Sequence, residues 1–124
     1  MDKFQAINYF WSGFGLPVYD EQDIPDDAVM PYITYKASAD SLGNSLLLYG
    51  NLWYRENTWK NISKKAQDIE KAIKEHGYVL INTSEPKGYL KISAETPFAQ
   101  RMKDDDEVVK RIYLNINAEF LTAY

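Results

Sequence analysis

The sequence predicts an α+β domain with a mainly antiparallel β-sheet and two main helices packed on one face. Two stretches repeat apolar residues at steps of three or four, as amphipathic helices do, whereas the remaining apolar stretches are rich in β-branched and aromatic residues. The order of these stretches is helix, two strands, helix and three strands, which is typical of α+β proteins. The chain has 124 residues, 45% of them hydrophobic, so residues 1–124 are expected to form a single domain with one core.

The first predicted element is an amphipathic helix over residues 2–14. Its apolar face consists of Phe4, Ile7, Phe10, Trp11 and Phe14. Asp2 suits the positive end of the helix dipole, and Gly13 and Gly15 give the backbone freedom to end the helix. Residues 15–31 follow as an acidic connection with three prolines. We expect it to be extended, because proline fixes φ and disfavours helix at the residue before it.

Residues 32–38 and 45–55 are predicted to form a β-hairpin. Both stretches are rich in β-branched and aromatic residues, and the segment 39–44 between them contains the turn-forming Gly43. Pro31 marks the entry to the first of the two strands.

The second predicted helix follows Asn57 or Thr58, either of which can cap it. Its apolar face consists of Trp59, Ile62, Ala66, Ile69 and Ile73, and Lys, Asp and Glu occupy the opposite side. Gly77, which follows His76, is expected to end this helix in a left-handed conformation.

The last part of the chain predicts three more strands. Residues 78–81 and 88–93 are expected to pair across the polar turn 82–87. From Ile112 onward, the strand 108–123 alternates apolar with polar side chains, which predicts one face toward the core and one polar face.

The sequence offers little catalytic chemistry. It has no cysteine and one histidine, so it lacks the residues of the common zinc sites, and its glycines form no phosphate-binding loop. His76 is expected at a helix C-terminus, where its charge interacts favourably with the helix dipole. We therefore expect no catalytic residue, no metal, no cofactor and no enzymatic activity.

Clustered carboxylates leave one enzymatic hypothesis open. A metal-dependent enzyme would need at least two acids of the segment 20–27 to converge with another acid; the candidates are Asp20, Asp23, Asp26 and Asp27. The second acidic segment, 104–107, lacks the glycine and the closing glutamate of a calcium loop, which favours a solvated turn.

Aromatic residues support another hypothesis, a carbohydrate- or peptide-binding module that uses Tyr49, Trp53 and Tyr54, with Trp59 nearby. Core packing and subunit interfaces are the commoner roles of such residues. The net charge of −4 argues against nucleic-acid binding by bulk attraction. The N-terminal residues contain no apolar run of the length expected for a signal peptide or a membrane helix.

Several stretches of the sequence resemble one protein family. They are FWSGFGLPVYDEQDIPDDAVMPYITYKASADS, LWYREN, ISKKAQDI, GYLKI, TPFAQRM and RIYLNINAEFLTAY. Together they cover nearly the whole chain and resemble the tail terminator proteins, also called tail completion or head–tail joining proteins, of siphophages and prophages of Gram-positive bacteria. None of these stretches carries a catalytic signature.

The resemblance implies a structural virion protein. Such a subunit forms a homo-oligomeric ring, typically a hexamer, that caps the tail tube and joins it to the head. The implied partners are other copies of the chain, the tail tube protein and the head-side connector protein; DNA is met only in passage through the channel, and no membrane is involved. The implied location is the tail and neck of the virion, and the host cytoplasm during assembly. A head-side stopper or adaptor protein of the neck is the nearest alternative.

Two groups of residues are the candidates for interaction in such a ring. The first lies in the long acidic connection and comprises Tyr19, Asp20, Ile24 and Pro25. The second lies in a segment expected to be irregular, with the composition of an interface hot spot, and comprises Phe98, Gln100, Arg101 and Met102. A channel lining that repels DNA would be acidic, and the candidates for it are Asp104, Asp105, Asp106 and Glu107, or the 20–27 segment.

Overall fold

The structure, a computed structural model, describes residues 2–39, 45–75, 79–84 and 87–122. These residues form two helices and one six-stranded sheet, which confirms the predicted α+β class. The elements in chain order are α1 (Lys3–Ser12), β1 (Val18–Asp20), β2 (Tyr32–Ala39), β3 (Ser45–Arg55), α2 (Lys60–Glu75), β4 (Val79–Ser84), β5 (Lys87–Met102) and β6 (Val109–Thr122).

The strand order in the sheet is β1-β2-β3-β6-β5-β4. The last strand in the chain, β6, therefore lies in the middle, between the two hairpins β2-β3 and β4-β5. All neighbouring strands are antiparallel except β1, which runs parallel to β2. The predicted mainly antiparallel sheet is confirmed, and β6 joins the two hairpins into one sheet.

Both helices pack on the same face of the sheet. Side chains on a strand alternate between faces, and in β3 the buried series on the helix side is Leu48, Gly50, Leu52 and Tyr54. Helix α1 contacts β1, β2, β4 and β5, whereas α2 contacts β3, β5 and β6. Because α1 reaches strands near both edges, the sheet curls around it.

Helix α1 begins with a capping box. The side chain of Asp2 accepts a hydrogen bond from the Gln5 backbone N–H, and the Asp2 N–H donates to the Gln5 side chain. The helix ends at Ser12, two residues earlier than predicted, with Gly13 as its cap. The predicted apolar face is correct for Ile7, Phe10 and Trp11, which are buried, but the Phe4 side chain is 52% exposed.

Helix α2 buries the apolar positions that the sequence predicts. Ile62, Ala66, Ile69 and Ile73 are all buried against the sheet. The helix begins at Lys60, so Trp59 is the last residue before it and is half-buried.

Two strand predictions were wrong. Residues 18–20 form the short parallel strand β1 within the predicted connection. The strand exists because its backbone pairs with β2, 15 residues further along the chain, and no local sequence pattern indicates that pairing. The segment predicted as irregular is the second half of β5, which pairs with β6 through Met102 after a register shift between Ala94 and Ala99. The predicted turn 82–87 was also wrong at both ends, because residues 82–84 belong to β4 and Lys87 begins β5. Residues 85–86 and the predictions on Gly43, His76 and Gly77 lie outside the described residues.

Candidate functional site

The sheet face opposite the helices carries a row of aromatic and amide side chains. We call this surface the aromatic face; its members are Tyr19, Tyr32, Thr34, Tyr49, Asn51, Trp53, Arg111, Tyr113 and Asn115. The strand register brings these residues together from β1, β2, β3 and β6. Neither of the helices in the described part of the chain covers this face, and most of its side chains are half-buried against one another.

One row of the aromatic face crosses all four of these strands. The Tyr19 and Tyr32 rings meet edge to face with centroids 5.6 Å apart, and the Tyr32 and Trp53 centroids are 6.5 Å apart. The Arg111 guanidinium carbon lies 5.2 Å from the Trp53 ring centroid. The Trp53 Nε1–H donates to the Thr34 hydroxyl at 2.9 Å, which holds the indole in one orientation. The row is thus preorganised.

A second row contains Tyr49 and Tyr113, whose ring centroids are 5.6 Å apart. Between the two rows the amide oxygen of Asn51 is buried and has no hydrogen-bond partner among the described residues. Burial, followed by the nearby charges of Tyr49 and Glu21, raises the pKa of the Tyr113 hydroxyl. The hydroxyl therefore stays neutral at physiological pH and can donate a hydrogen bond.

The acidic connection, defined here as residues 20–29, leaves β1 at Asp20 and leads toward β2. It is ordered by its own turns: the Asp23 N–H donates to the Asp20 carbonyl at 2.9 Å, and the Ala28 N–H donates to the Pro25 carbonyl at 3.1 Å. Every residue from 20 to 27 is exposed. Asp20, Ile24 and Pro25 of the first candidate group therefore lie at the surface, whereas Tyr19 belongs to β1 and to the aromatic face.

A groove of about 200 Å³ separates α2 from β5; we call it the α2–β5 groove. It is lined by Ser63, Ala66, Gln67, Glu70, Phe98, Ala99, Arg101 and Ile112. Ala66, Phe98 and Ile112 are buried and form an apolar floor. At the rim the guanidinium carbon of Arg101 lies 4.9 Å from the Trp59 ring centroid, and its Nη2 donates to the Ser63 hydroxyl at 3.4 Å.

Strand alternation divides the second candidate group. Ala99 pairs with Leu114, so it and Arg101 face the helices, whereas Gln100 and Met102 face the other way. Gln100 and Arg101 are exposed, and Met102 is half-buried. Phe98 is only 5% exposed, so its ring belongs to the core and reaches the surface only as the floor of the groove.

The acids of residues 104–107 form the turn between β5 and β6. The Asp104 carboxylate accepts from the Asp106 N–H at 3.0 Å, and the Asp106 carboxylate accepts from the Val108 N–H at 3.1 Å. Asp106 also pairs with Arg55 at 3.5 Å in an exposed ion pair, and Asp105 and Glu107 are exposed as well. The segment is a solvated turn, as the sequence indicates.

The other hypotheses can be compared with these positions. Among residues 2–39, 45–75, 79–84 and 87–122, no three acids or histidines come together in a set that could hold a metal ion. The rings of the proposed binding module are divided: Tyr54 is buried on the helix side, whereas Tyr49 and Trp53 lie on the aromatic face. Neither helix among the described residues has the length and apolar character needed to cross a membrane.

No protein-family model matches the chain, and no curated protein matches its sequence. Sequence reasoning missed Tyr32, Asn51, Arg111 and Tyr113 as members of a common surface. The signal available for them was the alternation along β2, β3 and β6, which places them on one side of each strand. Their meeting depends on the register between these strands.

Proposed function

We propose that the chain is a structural subunit of a phage tail, a tail terminator that forms a ring on the end of the tail tube and joins it to the head. The sequence resemblance suggests this role. The observation that carries it in the structure is the aromatic face, a preorganised surface that no described helix covers. In this proposal the protein is not an enzyme and needs no cofactor.

The composition of the aromatic face supports a role in protein binding. Tyr, Trp and Arg are the residues most enriched at interface hot spots, because each combines a large contact area with a polar group. Trp53 is already held by Thr34, and Tyr32 and Arg111 pack against its ring. Binding through rings that are fixed in advance loses little side-chain entropy. We assign this face to the contact with the tail tube.

The acidic turn 104–107 supports the passage of DNA. Asp105 and Glu107 are exposed and, together with the net charge of −4, would repel phosphates from a channel wall. A ring that places this turn toward its lumen would let the duplex slide without adhering. A head-side stopper or adaptor remains the alternative within the same class, and a neck ring of that kind would bind filled heads.

Light scattering tests the proposal. The mass of the purified protein is measured over a range of concentrations, alone and with tail tubes that lack it. We expect a closed ring, either in solution or on the tube end, and an arrest of further tube growth. Binding to filled heads and not to tubes would favour the head-side alternative. A monomer that binds neither would overturn the proposal.

A further inference from the structure

We propose that the acidic connection of one subunit docks into the α2–β5 groove of the next copy of the chain, with Val29 seated on the apolar floor. Asp26 and Asp27 then face Arg101 and the lysines of α2. The inference rests on the proposed function for one point, that the partner is a second copy of the chain. The contact is then the lateral interface between neighbouring subunits of the ring.

The groove has the size and lining for one aliphatic side chain. Its volume is about 200 Å³, whereas an engineered apolar cavity of about 150 Å³ in another protein binds benzene. Ala66, Phe98 and Ile112 give it an apolar floor, while Gln67 and Arg101 stand exposed at its rim. Such a floor with a polar rim is the general anatomy of a protein interface.

The acidic connection offers an apolar residue of matching kind. The side chain of Val29 is 77% exposed, and it directly follows the turn that the Ala28 N–H closes on the Pro25 carbonyl. An apolar side chain with this exposure gains the free energy of burial only when another molecule covers it. Because the turn is already formed and Pro25 restricts its backbone, docking restricts few additional rotatable bonds and so loses little conformational entropy.

The charges around the two surfaces are complementary. Asp26 and Asp27 are exposed and have no ion-pair partner among the described residues. On the other side, Arg101 in the lining of the groove is equally without a carboxylate partner in that part of the chain, as are Lys60 and Lys64 on α2 outside the lining. Within the described residues, the salt bridges of α2 join Lys71 to Glu75 and Lys74 to Glu70. Of the charged residues that line the groove, Glu70 already pairs with Lys74, whereas Arg101 has no carboxylate partner among the described residues. An acidic tip with an apolar residue therefore matches Arg101 above an apolar floor.

The positions of the two surfaces suit a ring. The acidic connection adjoins β1, and the groove adjoins β5, four strands away in the sheet. The two are therefore distinct surfaces of one subunit. A contact between two different surfaces is heterologous, and repeated contacts of this type generate a ring when the rotation closes.

Disulfide trapping tests this contact, and the natural chain has no cysteine that could interfere. The variant Val29→Cys/Gln67→Cys is oxidised gently under the conditions in which light scattering detects the ring. We expect a ladder of linked multimers up to the ring size on a non-reducing gel, because each copy donates one thiol to each neighbour. The single variants should give dimers at most. The matched control, Val29→Cys/Glu119→Cys, places the second thiol at an exposed position of β6 away from the groove and should give no ladder.

A charge reversal provides the second measurement. Asp26→Lys/Asp27→Lys should weaken subunit association by about tenfold or more, and Lys64→Glu combined with Arg101→Glu in the same chain should restore part of it. A ring that forms without the disulfide ladder and is indifferent to the charge reversal would overturn this contact and leave the proposed function standing. A chain that forms no ring, alone or on tubes, would overturn both.

Discussion

The indole ring of Trp11 lies directly against the backbone of Gly50, so closely that a Cβ at position 50 would come within 2.3 Å of Cη2 of Trp11. The same Cβ would lie 2.7 Å from Cζ2. Trp11 is fully buried, and because protein cores are close-packed its ring cannot move aside without displacing its neighbours. This contact seats α1 on the middle of β3, and it requires glycine at position 50 for reasons of space.

We expect Gly50→Ala to destabilise the protein by about 1–3 kcal/mol, the usual cost of overpacking a core. In a strand, alanine is otherwise more stabilising than glycine. A loss of stability in Gly50→Ala therefore reports the contact with Trp11. Urea unfolding followed by tryptophan fluorescence measures it. Gly13→Ala is the matched control, because its Cβ would meet only the Phe10 carbonyl at 3.4 Å, and it should change stability by less than about 0.5 kcal/mol. Equal stability of Gly50→Ala and the natural chain would contradict the packing.

Thr34→Val should destabilise the protein although it keeps the shape of the side chain. Thr34 is buried, and its hydroxyl is the one acceptor that the described residues offer to the Trp53 Nε1–H. Loss of the acceptor leaves the indole N–H unpaired, which costs about 1–2 kcal/mol. Chemical denaturation of Thr34→Val and Thr34→Ser compares the two. Thr34→Ser retains the hydroxyl and should recover most of the loss; if both variants are equally destabilised, the hydrogen bond is not the cause.

The stability of the protein should fall in alkaline solution. Burial, followed by the charges of Glu56 and Asp68, raises the pKa of Tyr54 from its ordinary value of 10.0. The folded state therefore holds this proton more tightly than the unfolded state. The contribution of neutral Tyr54 to the free energy of unfolding is complete below pH 10.0, the ordinary pKa of tyrosine. It is lost as the pH rises through the higher pKa that Tyr54 has in the folded state. Tyrosinate absorbance and unfolding curves between neutral and alkaline pH measure both effects.

Tyr54→Phe is the control for this pH dependence. It removes the titrating group while keeping the ring, so part of the alkaline loss of stability should disappear. Burial also raises the pKa values of Tyr32 and Tyr113, so some of the loss should remain. A variant with the same alkaline profile as the natural chain would show that Tyr54 does not contribute.

Arg111→Glu should weaken the binding of the protein to tail tubes by about thirtyfold, equivalent to about 2 kcal/mol, which is the scale of an interface hot spot. The substitution removes the cation over the Trp53 ring and places a carboxylate on the aromatic face. Sedimentation with tubes measures the binding. Lys71→Glu, a charge reversal on the exposed side of α2, should bind tubes as the natural chain does. Undiminished binding of Arg111→Glu would remove the aromatic face from the tube contact.

Helix α2 and the hairpin β2-β3 could be predicted because their signals are local. The buried residues of α2 repeat at the helical period, and β3 has the bounds that its leucines and aromatic residues predict. Strand β1 could not be predicted: it has three residues and exists because its backbone pairs with β2. The second half of β5 was missed because Thr96 and Pro97 interrupt its pattern, while pairing with β6 restores the strand afterward.

The candidate surfaces were only partly predictable. Sequence composition named Arg101 and the acidic connection as candidates for interaction, and the structure places both at the surface. It also counted Phe98 as a surface residue and placed Tyr54 in one binding surface with Trp53. The structure buries Phe98, and it separates Tyr54 from Trp53 because consecutive residues of a strand point to opposite faces.

The sequence by itself determined the class of the fold, the helices and most of the strands, since these depend on side-chain periods within a few residues of one another. Only the tertiary structure decided which aromatic rings meet. Trp53 lies beside Tyr32 and Arg111 because β2, β3 and β6 pair in one register, and a slip of one residue would turn each side chain to the other face. Such a register is set by the packing of the whole core, with Trp11 against Gly50 at its centre, and no local stretch of the chain encodes it.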